Sequence, residues 1–160
     1  MNEVFVGLDL SLASSGVITY NHEKGIIIKK LIITKPTSSM EERFEIILKE
    51  VDFIKTLENR QGVYIEGLSH GSVSSKKAEL AAAHYIVRYN LYQSNILFKV
   101  IPPNSLKKFA TGKGLVKKNL MLLHCYKKFG EEFESDDLCD AYLLTRMAHQ
   151  EYTDSLETDK

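Results

Sequence analysis

Cysteine is nearly absent from this sequence: Cys125 and Cys139 are the only two in 160 residues, too few and too far apart for a CxxC redox or zinc pattern. Tryptophan is missing and proline occurs three times. No apolar run approaches the roughly 20 residues that span a bilayer, and the N-terminus has no signal-peptide pattern. These absences predict a soluble protein of a reducing, cytoplasmic setting, with no membrane partner. The formal net charge is zero, with 21 basic and 21 acidic side chains, which argues against a nucleic-acid partner.

That balance conceals a further absence. Between Leu80 and Gly130 there is no Asp or Glu, while Arg88, Lys99, Lys107, Lys108, Lys113, Lys117, Lys118, Lys127 and Lys128 all fall there. Such a block is either a solvated lysine-rich helix face or a phosphate-binding surface, and its length favours the second.

What is present reads as one domain over 1–150, large enough for a core without disulfides, followed by an acidic tail, 151–160, expected to be flexible. The runs VFVGLDL, GVITY and GIIIKKLIIT predict three antiparallel strands. Ser39 with Glu42 has the form of a capping box, opening an amphipathic helix expected to reach about Asn59. GVYIEG predicts a strand with Val63 and Ile65 on one face and Tyr64 and Glu66 on the other. After the polar stretch LSHGSVSSKK come a packed helix, KAELAAAHYIVRYNLY, and a buried fifth strand, ILFKVI, closed by Pro102 and Pro103. SLKKFA, VKKNLMLLHCYKKFG and SDDLCDAYLLTRMAHQ supply three more helices, the last with Ser135 as N-cap. The expected class is α/β: a mixed five-stranded sheet, three antiparallel strands then two parallel, flanked by helices.

Four acids carry the functional argument. Asp9 and Glu66 each end an apolar strand, where a carboxylate can meet a ligand or serve a turn. Asp137 and Asp140 lie three apart, on one helix face roughly 5–6 Å from each other at Cβ, where like charges repel unless a cation intervenes. The helix dipole accounts for Asp136 or Asp137 but less well for Asp140, which apolar residues surround. If the two strands are neighbours and the last helix crosses their ends, the carboxylates converge on an oxygen-only site suited to Mg2+ or Mn2+. Phosphodiester hydrolysis is the chemistry such a site supports.

The order GLDLSLASSG, VYIEG, VIPPNSLKKF with TGKGLVKKN, and DDLCDAYLL resembles the RuvC-type Holliday junction resolvases of the RNase H-like (retroviral integrase) superfamily over nearly the whole chain, in a short, phage-type form. The resemblance implies a metal-dependent endonuclease that resolves four-way junctions by paired nicks, with two Mg2+ or Mn2+ ions held by Asp9, Glu66, Asp137 and Asp140. Asp136 is the substitute if the register shifts by one. It further implies a homodimer acting on branched DNA, with no small-molecule cofactor, in the host-cell cytoplasm if phage-encoded. Lys107 and Lys118 fall where the family places DNA-contacting lysines, Lys118 supporting catalysis. Lys108 and Lys117 are their neighbours to suspect, and Lys113 and His70 are further candidates for DNA contact. His84 and His124 read as helix packing residues.

One departure concerns substrate choice. Cellular members present an aromatic in the loop after the catalytic Glu, and GLSHGSVSSKK contains none. Base stacking is worth roughly 1–3 kcal/mol, so its loss opens the alternatives of a broader branched-DNA or flap nuclease, or a non-catalytic binding module. A pre-ribosomal-RNA nuclease of the superfamily fits the Pro-Pro and DDLCD segments less well. An actin-like ATPase would need a second domain that 160 residues do not hold.

Overall fold

The structure, a computed structural model, describes residues 2–69, 75–114 and 116–158, without the side chains of Lys118 and Asn119. β1 (Val4–Asp9), β2 (Ser14–Asn21) and β3 (Ile26–Ile33) form an antiparallel meander, and α1 (Met40–Val51) leads to β4 (Arg60–Glu66). Next come α2 (Ser75–Gln93), β5 (Lys99–Ile101), α3 (Pro103–Thr111), α4 (Lys118–Phe129) and α5 (Asp136–Thr158). The sheet order is β3-β2-β1-β4-β5, with β4 parallel to both β1 and β5. This is the expected mixed sheet of three antiparallel strands followed by two parallel ones.

Strand parity divides the core between the two faces of the sheet. Val6, Leu8, Val63 and Ile65 pack with Ile47, Val51, Ala83, Val87 and Leu91 of α1 and α2. Phe5 and Tyr64 face the other way, into a cluster with Leu106 of α3, Cys125 of α4, and Leu138, Ala141 and Tyr142 of α5. The same alternation sends Asp9 and Glu66 toward the α5 side. Cys125 and Cys139, distant in sequence, are both buried there and their thiols are hydrogen-bonded. That hydrogen bond, with burial, holds the Cys139 thiol far above its ordinary range, so it is chemically inert as a nucleophile.

The Ser39 capping box forms as its sequence predicts: Ser39 Oγ accepts from Glu42 N at 3.2 Å and Glu42 Oε2 from Ser39 N at 3.0 Å. The α-helix stops at Val51, short of Asn59, and a 3-10 turn, Asp52–Thr56, continues it. That tightening lets both Val51 and Ile54 reach the core. The fifth strand is also shorter than the run ILFKVI: only Lys99–Ile101 pairs with β4, and Leu97 is 92 % exposed. Asn95, at φ 54°, turns the chain so that Ile96 is buried and Leu97 faces outward. Helix α5 runs on through residues 151–158, where the sequence alone leaves an acidic tail. Glu151 explains part of this, since it pairs with Lys99 at 2.6 Å and accepts from the Tyr64 hydroxyl, while Tyr152 meets Phe5 edge to face. Among the described residues no helix is long and apolar enough to cross a membrane.

Candidate metal centre

Two glycines determine where α5 lies on the sheet. A Cβ on Gly7 would fall 1.9 Å from the Ala141 carbonyl oxygen, and one on Gly16 would fall 2.0 Å from that of Asp137. Helix backbone therefore rests directly on β1 and β2, an approach only glycine permits. Asp140, one residue before Ala141, is thereby carried to the carboxyl ends of β1 and β4. Ser135 caps the helix as expected, its Oγ accepting from Leu138 N at 3.2 Å.

Asp9, Glu66 and Asp140 meet at this point: one carboxylate oxygen from each lies within 4.8 Å of the others, with Asp9 and Asp140 buried and Glu66 half-buried. The parallel β1–β4 register runs through Leu8 opposite Ile65, so Asp9 and Glu66 follow side by side. Gly67 N donates to Ile101 O at 2.7 Å, tying the chain down immediately after Glu66. Oxygens bound to one Mg2+ at about 2.0–2.1 Å stand about 3–4 Å apart, so this spacing needs little adjustment to accept such an ion. The donor set, three carboxylates with no thiolate or imidazole, fits a hard cation.

The three acids open into a cleft of about 300 Å³ whose walls include Ser69, His84 of α2, Lys107 of α3 and Met121 of α4. No family model matches the sequence. No curated protein matches it either. Solved structures do: RuvC of Thermus thermophilus superposes with a TM-score of 0.76 at 18 % identity, over 95 % of this chain and 96 % of that one. This chain has the RuvC fold. The same bacterial protein in complex with a Holliday junction substrate gives a TM-score of 0.75 at 15 % identity over 96 % of each chain. The fowlpox virus resolvase, in complex with Holliday junction DNA, gives 0.55 at 16 % identity over 96 % and 98 %.

Within this RuvC fold, the other residues singled out in the sequence divide between cleft and surface. Lys107 is half-buried in the cleft wall, while Lys108, Lys113 and Lys117 are exposed outside it. Lys118 begins α4, and its side chain lies outside what the structure describes, as does His70 altogether. Asp136 and Asp137 are half-buried in the first turn of α5, and neither belongs to the group of three acids.

His84 is the wall residue that sequence reasoning assigned only to helix packing. It falls on the apolar face of α2 with Leu80, Ala83 and Val87, and a histidine in such company signals a buried polar partner. That partner is the Leu10 carbonyl, 3.2 Å from Nε2. Burial pushes the imidazole down from 6.5 to about 4, the Arg88 guanidinium adds to the drop, and the bond to Leu10 opposes it. Because the unfolded chain takes up this proton first, stability contributed by neutral His84 is complete above pH 6.5 and is lost as pH falls toward 4. The gap is worth roughly 3 kcal/mol once pH lies below both values. Urea denaturation at pH 7 and pH 4 is expected to show His84→Gln with a flatter pH dependence than the parent protein; equal slopes would remove His84 as the titrating group.

Proposed function

We propose that the protein is a divalent-metal-dependent, structure-selective DNA endonuclease that resolves four-way junctions by paired nicks. The observation that carries this reading is the convergence of Asp9, Glu66 and Asp140 at the strand ends, in a chain with the fold of proteins solved with junction DNA. Asp9, Glu66 and Asp140 would hold Mg2+ or Mn2+, and Asp137, one turn earlier on α5, is the remaining candidate for a second ion. Such ions supply Lewis acidity toward a phosphodiester and lower the pKa of a water. The chain's own part is to fix the carboxylates on two strands and a helix whose positions the core determines, and to place a cation beside them.

Lys107 is that cation. On the cleft wall it stands where a scissile phosphate would bring negative charge, whereas Lys108, Lys113 and Lys117 follow the acid-free stretch outward as backbone contacts, and Lys118, at the start of α4, remains the catalytic candidate that the resemblance implies. Lys107→Ala is therefore expected to slow cleavage by about 10²–10³-fold with a small change in junction affinity, since removing one stabilising group near the transition state costs roughly that much. Single-turnover cleavage beside a binding titration in chelator separates the two effects. A loss confined to binding would return Lys107 to the ordinary phosphate contacts.

A twofold substrate favours a twofold enzyme, so the active form is read as a homodimer. Tyr85, Tyr89 and Tyr92 form an exposed stripe on α2, 64, 60 and 70 % accessible, and exposed aromatics at this spacing suit the centre of an isologous interface. Tyr89→Glu is expected to raise the dimer dissociation constant by about tenfold or more, as truncating a central aromatic does. Sedimentation equilibrium measures it, and an unchanged constant would place the interface elsewhere.

The functional test is a panel of labelled four-way, three-way, forked and linear duplexes incubated with the protein in Mg2+. Symmetric nicking of the four-way junction alone supports resolution. Cutting of forks and three-way junctions at similar rates supports the broader branched-DNA nuclease, which the aromatic-free sequence after Glu66 favours. Equal cutting of linear duplex would overturn both.

A further inference from the structure

The sheet holds Asp9, the last residue of β1, on the β2 side alone. Parallel pairing with β4 stops at Leu8, and antiparallel pairing with β2 stops at Asp9 opposite Gly16. Beyond that point the chain turns, and a carbonyl shielded from water without a ladder partner is costly. Side chains supply the partners. Ser15 Oγ donates to Ser11 O at 2.9 Å, Arg43 Nη2 and Thr34 Oγ1 both reach Leu12 O, and His84 meets Leu10 O. Of these contacts, the one made by His84 is nearest to Asp9 in the chain. Because Leu10 O can only accept, Nε2 carries the hydrogen in this contact. His84 itself is 2 % exposed, fixed in the middle of a 19-residue helix, and shares the cleft with the three carboxylates.

We propose that His84 is a positioning residue of the metal centre: by donating to the Leu10 carbonyl it fixes the backbone one residue beyond Asp9 and so sets the direction of the Asp9 carboxylate. The inference rests on the reading of Asp9, Glu66 and Asp140 as the ligand set. A carboxylate at the last residue of a strand takes its direction from the backbone on both sides of it, the following turn included, and a metal ligand must be held within about 0.5 Å of its place. Groups that orient ligands in this way typically change metal affinity by 10–100-fold when removed.

The test compares two amides. In His84→Gln the side-chain nitrogen reaches the position of Nε2 and can donate to Leu10; in His84→Asn it ends near the position of Nδ1 and cannot. Calorimetric titration of the metal-free full-length protein with Mn2+, well below the unfolding midpoint, is expected to leave the Gln variant within about threefold of the parent and to weaken the Asn variant about tenfold or more. Val87→Ala, which removes packing one turn further along the same helix, is expected to lower the unfolding temperature and leave Mn2+ affinity unchanged. Equal affinities for the Asn, Gln and parent proteins would overturn the positioning role and leave the ligand assignment standing. So would an equal loss of affinity in both amide variants, or a Val87→Ala variant that binds as weakly as the Asn variant. Failure of the parent protein to bind Mn2+, or parent-like binding by Asp140→Asn, would instead overturn the ligand set and the positioning role with it.

Discussion

Replacing Asp140 with asparagine is expected to slow Mg2+-dependent cleavage of a four-way junction by about 10³-fold or more, roughly 4 kcal/mol in the barrier, with junction binding in chelator changed by less than about threefold. The substitution preserves volume and hydrogen-bonding reach and removes one anionic ligand from a group of three. Asp140 is the informative member because it is buried and because α5, pressed onto Gly7 and Gly16, leaves it little room to be replaced by a neighbour. A second signature accompanies the kinetic one. Three carboxylates within 4.8 Å repel one another when no cation is bound, so in chelator the asparagine variant is expected to be more stable than the parent by about 1 kcal/mol. Added Mg2+ then raises the unfolding midpoint of the parent and leaves that of the variant nearly still, since only the state that binds the ion is stabilised by it. A variant that cleaves at the parental rate would make these acids structural, as in a non-catalytic binding module.

The convergence of the carboxylates was legible in the sequence to different depths. Parity along VFVGLDL and GVYIEG puts Asp9 and Glu66 on one side of two strands, and a parallel β1–β4 pair makes them neighbours. Both follow from the hydrophobic pattern, because alternation has a period of two and each strand ends where its apolar run ends. Helical spacing placed Asp137 and Asp140 on a common face but could not say which part of that face meets the strand ends. That depends on how far α5 slides along the sheet, which Gly7 and Gly16 fix through long-range contacts. His84 escaped for the same reason: its chemistry comes from a carbonyl 74 positions away, whereas its own neighbourhood, AAAHYIV, is ordinary helix packing. The short fifth strand and the 3-10 end of α1 are similar cases, in which tertiary burial of Ile96 and Ile54 overrode the local run.

Gly7→Ala is expected to destabilise the protein by about 3 kcal/mol or more, at the upper end of what overpacking costs. The new methyl would lie 1.9 Å from the Ala141 carbonyl oxygen and 3.1 Å from Leu144 Cβ, and the first of these is backbone within a helix, which cannot turn aside as a side-chain tip can. Either α5 lifts or β1 bends, and each movement opens the interface between the sheet and the Leu138–Leu144 segment, which holds much of one core. Gly62→Ala is the control. Its added methyl would stand 3.4 Å from Ala148 Cβ, an ordinary contact on the same helix, and stability is expected to change by less than about 1 kcal/mol, since alanine is favoured over glycine within a strand by about that much and offsets any tightening. Urea denaturation of the two variants measures the difference, and equal stabilities would mean that α5 does not rest on β1 at Gly7. The functional consequence follows from geometry: Asp9 lies two residues beyond Gly7 on the same face of β1, and Asp140 directly precedes Ala141. Lifting α5 by the width of a methyl group therefore separates these two carboxylates, so any folded Gly7→Ala protein is expected to bind Mn2+ about tenfold or more weakly than Gly62→Ala, in line with the loss that follows when the support of a ligand is removed.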